Sequence, residues 1–107
     1  MDVMLAELEL IPIGTKSVSL SALLADVAKL IDASGLDYRV GPMGTVVEGE
    51  WDPIMRLAKQ CHEAMLKSTG RVMTTIRIDD RTDKPGAGRM VQKVQSLERA
   101  TGRPLRR

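Results

Sequence analysis

Three carboxylates and a guanidinium, Glu7, Glu9, Glu48 and Arg77, sit in stretches of this sequence where polar and apolar residues alternate. Period two is the repeat of a β-strand, so such residues project from one face of a sheet. A carboxylate there can attract an organic cation or accept from an amino group. The same groups beside Arg77 can equally form a cross-strand charge pair, worth under about 1 kcal/mol when exposed. Both readings stand at this level. Cys61 and His62, the single cysteine and single histidine, are adjacent in a helical stretch. Neighbours on a helix point about 100° apart, so they do not form a nucleophile and its base. One His and one Cys make no transition-metal cluster. Asp79, Asp80 and Asp83 lack the spacing and terminal glutamate of a calcium loop. The run Gly86-Ala-Gly88-Arg89 is too short for a phosphate-cradling loop and follows no strand.

The elements that must position these residues are legible from periodicity. Asp2 to Ile13 alternates as a strand and ends at Pro12 and Gly14. Leu20, Leu23, Leu24, Val27, Leu30 and Ile31 recur at helical spacing, with Ser19 as the expected N-cap and Gly35 at the C-terminal end. Leu36 to Val40 and Thr45 to Glu50 read as a hairpin around Gly41-Pro-Met-Gly44. Asp52 and Pro53 predict a second helix start, Ile54, Leu57, Ala58, Cys61, Ala64 and Met65 its buried stripe, and Gly70 its stop. Arg71 to Asp79 alternates again, and Met90, Val94 and Leu97 carry a last helix near Arg89 to Ala100. The order β-α-β-β-α-β predicts an α+β, ferredoxin-like sandwich, a four-stranded antiparallel sheet with helices on one face, plus a C-terminal helix. In that arrangement the first strand lies between the third and fourth. The helix-free face then carries Val3, Leu5, Glu7, Glu9 and Ile11, flanked by Val46 and Glu48 and by Met73, Thr75 and Arg77. Such an apolar patch reads as a partner surface, and a second copy is the expected partner, through face-to-face or edge packing into a dimer or a dimer of dimers.

Bulk composition narrows the classes. The 107 residues make one domain, 1–107, with 103–107 as a basic tail. Sixteen Lys and Arg against 14 acids give a net charge of +2, too balanced for a nucleic-acid binder. With no Phe, one Trp and one Tyr, the open face also lacks the aromatics that stack RNA bases. One cysteine excludes an internal disulfide. The N-terminal stretch is broken by Asp2, Glu7 and Glu9, and no apolar run approaches the roughly 20 residues that span a bilayer. The expectation is a cytoplasmic protein without nucleic-acid or membrane partners.

Three segments carry a resemblance: Val3 to Thr15 ending in Ile11-Pro-Ile-Gly-Thr15, Gly41-Pro-Met-Gly-Thr-Val-Val-Glu-Gly49, and Thr74-Thr-Ile-Arg-Ile-Asp-Asp-Arg81 followed by Asp83-Lys84. In this order they resemble the thiamine-binding protein family, over essentially the whole chain. The resemblance implies a homo-oligomer, commonly a tetramer, that binds thiamine or its hydroxymethylpyrimidine moiety without turnover and needs no cofactor. By position in the shared motifs, Glu48 and Glu7 are the candidate carboxylates for the cationic ligand, with Arg77 beside them. Thr15, Ser17 and Thr45 are candidate hydroxyl partners, Met43 a cover for a ring face, and Gly44 bare backbone that lets a flat ring approach. Met43 and the glycines serve equally well as packing and turn residues, and Thr15 and Ser17 as the entry to the first helix. Two rival readings remain. One is a small regulatory or structural oligomer whose sheet contacts only protein; the other is an enzyme of low activity using Glu48 or Glu7 as general base.

Overall fold

A computed structural model describes residues 3–14, 20–83 and 86–107. Its elements follow the predicted order: β1 (Met4–Pro12), α1 (Leu20–Ala33), β2 (Asp37–Val40), β3 (Thr45–Gly49), α2 (Trp51–Thr69), β4 (Val72–Asp79) and α3 (Arg89–Thr101). The strands form one antiparallel sheet in the order β2-β3-β1-β4. This is the α+β, ferredoxin-like arrangement expected from the periodicities. Ser19, the expected cap of α1, lies outside the described residues.

Alternation decides which residues enter the core. Met4, Ala6 and Leu8 of β1 and Val47 of β3 face the helices and are buried, while Leu23, Val27 and Ile31 meet them from α1. From α2 come Ile54, Leu57, Ala58, Cys61 and Met65, the predicted stripe with Ala64 at its margin. Each large aliphatic side chain so buried contributes about 1.5–3 kcal/mol. Methionines 4 and 65 fill space that phenylalanine usually takes, which suits their flexible thioethers. Helix α2 begins at Trp51, earlier than Asp52 and Pro53 suggested. Its N-cap is Glu50, without a side-chain cap bond. Pro53 sits within the first turn, where backbone N–H groups have no intrahelical acceptor and the missing one costs nothing.

The reverse face of the sheet is where the structure adds to the expectation. Register places Leu5 opposite both Glu48 and Asp79, and Glu7 opposite both Val46 and Arg77. Further along, Glu9 faces Thr75 and Ile11 faces Met73. Helix α3 lies against the Leu5 end of this face, so only the far end is left uncovered among the described residues. The basic tail folds back on α3. Glu98 accepts from the Leu105 N–H at 2.7 Å and from Arg107 at 2.7 Å.

Candidate functional site

Glu48 is the side chain that organises this end of the molecule. It projects from β3 onto the reverse face and is 4% exposed. One carboxylate oxygen, Oε2, accepts the Gly88 N–H at 2.7 Å and the other, Oε1, the Met90 N–H at 2.7 Å. These amides belong to the first turn of α3, which have no intrahelical acceptor. Gly88, the N-cap position of α3, has φ +88° and no side chain of its own to cap with. Glu48 therefore supplies the cap from another strand, and its negative charge meets the positive end of the helix dipole.

Asp79 fixes the same helix from β4. Arg89 is 4% exposed, donates to the Asp79 carbonyl at 3.0 Å and lies 3.3 Å from its carboxylate. Lys93, one turn on, reaches the same carboxylate at 2.6 Å. The hydrogen bond from Lys93, with Arg89 adding to it and partial burial opposing, holds the Asp79 carboxyl below the usual carboxylate range. Arg89 is the buried residue of α3, so this helix is attached mainly by polar contacts.

Between α3 and the sheet runs a groove of about 370 Å³. Leu5 and Val46 form its floor, Met90 and Val94 its roof, and Glu7, Arg77 and Lys93 bring charge to it. Glu7 is half-buried and pairs loosely with Arg77 at 3.6 Å. Gly44 backs onto Glu7: a Cβ there would stand 3.0 Å from the Leu8 carbonyl oxygen and 3.4 Å from Glu7 Cγ. Only glycine leaves that approach open. A second, strongly apolar cleft of about 440 Å³ lies between α1 and the β2–β3 loop, lined by Leu8, Leu24, Val27, Met43 and Thr45 among others.

The sequence-predicted site residues therefore divide. Glu7 and Arg77 share the groove, Met43 and Thr45 line the cleft, and Gly44 touches both settings. Glu48 is on the predicted face, but both its oxygens serve α3. Thr15 and Ser17 lie outside the described residues. Met90, Lys93 and Val94 were not singled out for the site, because the sequence does not say where α3 docks. The one available signal was the alternation that puts Asp79 on the same face as Arg77. His62 is a boundary residue, with Nδ1 2.6 Å from Thr74 Oγ1. Arg81 and Asp83 form a local bidentate pair. Among the described residues no group of His, Cys, Asp or Glu is placed to hold a metal, and no helix is long and apolar enough to cross a membrane.

Comparison with known proteins gives one consistent match. The profile of the family described as thiamine-binding protein matches residues 6–98. The UPF0045 protein YqgV of Bacillus subtilis is 39% identical over 100 residues, covering 89% of this chain and 94% of its own. A UPF0045 protein of Methanothermobacter thermautotrophicus is 40% identical over 95 residues, covering 87% and 94%. Among solved structures, protein MJ1052 of Methanocaldococcus jannaschii superposes with a TM-score of 0.80 at 30% identity, covering 91% of this chain and 97% of its own. A Thermotoga maritima protein, solved as a candidate thiamine biosynthesis/salvage protein, shares the fold with a TM-score of 0.72 at 23% identity, covering 85% and 97%.

Proposed function

The chain belongs to the thiamine-binding protein family, and on that premise we propose that it binds thiamine, or the hydroxymethylpyrimidine part of it, without turning it over. The role is that of a cytoplasmic carrier, scavenger or sensor, with the ligand seated at or near the boundary between copies in a homo-oligomer. The observation that supports this most is the setting of Glu7. Its carboxylate is half-buried, held only loosely by Arg77, and stands at the edge of an apolar groove beside the bare backbone of Gly44. Thiamine presents a cationic thiazolium and an aminopyrimidine, and a carboxylate can neutralise the first or accept from the second. Apolar walls from Leu5, Val46 and Met90 suit the flat faces of either ring. Of the two candidate carboxylates, Glu7 is the one free to meet a ligand, because Glu48 is occupied by α3.

Calorimetric titration with thiamine and with hydroxymethylpyrimidine is the test. Saturable heat is expected for at least one of them, and Glu7→Gln should weaken binding about tenfold or more, roughly 1.4 kcal/mol. Heat that survives Glu7→Gln unchanged would place the ligand elsewhere. No heat from either compound would remove the reading and favour the alternative, a structural or regulatory oligomer, for which the place of β4 at the end of the sheet is the supporting feature.

A further inference from the structure

We infer that the groove between α3 and the sheet takes its ligand as a phosphate monoester, with the phosphate seated between Arg77 and Lys93. The inference deepens the reading above by naming the chemical form of the ligand, and it rests on that reading. Charge at the groove is unequal. Glu7 and Arg77 line it from β1 and β4, and Asp79 and Lys93 line it from β4 and α3. Arg89 is buried beside them, 3.3 Å from the Asp79 carboxylate. Two carboxylates thus face three cations, which leaves one positive charge in excess.

A purely cationic ligand matches such a site poorly. A cation at Glu7 competes with Arg77 for the same carboxylate, and its charge then lies beside an unpaired guanidinium. A ligand that carries both signs meets neither cost. Its cationic or amino end takes Glu7 while its anionic end takes Arg77, so the loose pair is exchanged for two ligand contacts. Thiamine and hydroxymethylpyrimidine each end in a primary alcohol. The phosphate ester of that alcohol supplies the missing sign.

The donors for a phosphate are in place. At 3.6 Å the Arg77–Glu7 contact is longer than a hydrogen bond, so the guanidinium fork remains available for the bidentate grip that phosphate favours. Lys93 gives one hydrogen to Asp79 at 2.6 Å and keeps two more. Arg77 pairs with Glu7 and Asp79 with Leu5, two residues apart on one face of β4, a separation of roughly 7 Å. Charge-assisted bonds of about 2.8 Å on either side of one phosphate close that span. The Arg77 and Lys93 side chains are 79% and 58% exposed. The phosphate therefore sits at the open rim, while the ring enters between Leu5, Val46, Met90 and Val94. Solvent screens contacts at such a rim, so the gain in affinity is modest, about tenfold.

Calorimetric titration of the full chain tests this by comparing thiamine and hydroxymethylpyrimidine with their phosphate monoesters and with inorganic phosphate. In the pair that gives saturable heat, the ester should bind about tenfold tighter than the free alcohol, or about 1.4 kcal/mol. Inorganic phosphate should bind more weakly than the ester, because it leaves the apolar walls empty. Lys93→Gln and Arg77→Gln should each bring the ratio of ester to alcohol affinity below about threefold. Lys93 also helps to hold α3, whereas Arg77 touches only Glu7 and is largely in solvent. A fall in the ratio for Arg77→Gln therefore reports a phosphate contact and not a loosened helix. Equal affinities for ester and alcohol, a ratio that survives either substitution, or inorganic phosphate binding as tightly as the ester would each overturn the inference. Heat from a free alcohol with no gain from its ester removes this inference alone and leaves the proposed function standing. No heat from any of the organic compounds removes both.

Discussion

A carboxylate with both oxygens on backbone amides behaves differently from one resting on a sheet surface, and Glu48 and Glu7 provide the comparison within one chain. Replacing Glu48 with alanine takes both acceptors from the part-buried Gly88 and Met90 N–H groups. Hydrogen bonds to charged groups are each worth about 1.5–3 kcal/mol, so Glu48→Ala should lower stability by about 2 kcal/mol or more in denaturant titration. Glu7→Ala, which breaks a 3.6 Å pair with an Arg77 side chain 79% exposed, should cost less than about 1 kcal/mol. Equal losses for the two would refute the capping role. The placement of both glutamates on the helix-free face was legible from period two alone. The difference between them was not, because the donors to Glu48 lie 40 and 42 residues away, and no local periodicity links them to it.

Helix α3 was visible in the spacing of Met90 and Val94, whereas its dock was not, since polar latches leave no hydrophobic pattern. Leu97, counted with the same stripe, is 56% exposed. The dock is pH-dependent through Asp79. Its folded pKa is depressed, so the stabilisation is present above the unfolded carboxylate value, about 3.9. It is lost as pH falls through the lower folded value. Acid should therefore loosen α3 before the sheet, seen as faster amide exchange at Gln92–Val94 below about pH 4 while β1 stays protected. Asp79→Asn should flatten that acid limb. Exchange in α3 that ignores pH in the unmodified protein would show the helix is held by other means.

The architecture as a whole was the most legible level, because two helical stripes and four alternating runs leave few ways to close a core from 107 residues. What periodicity cannot convey is how a small sheet deals with its own margin. If copies assemble as proposed above, folding and association are linked, and the melting temperature should climb with protein concentration over a hundredfold range in scanning calorimetry. A constant value would indicate a self-sufficient monomer. The scarcity of aromatic rings has a further, optical consequence. Trp51, the only indole, stands at the entrance to α2 with 54% of its surface in solvent. Its emission should therefore already resemble that of a hydrated ring in the native protein, which would make fluorescence a poor witness to melting here and circular dichroism of the backbone the signal to follow.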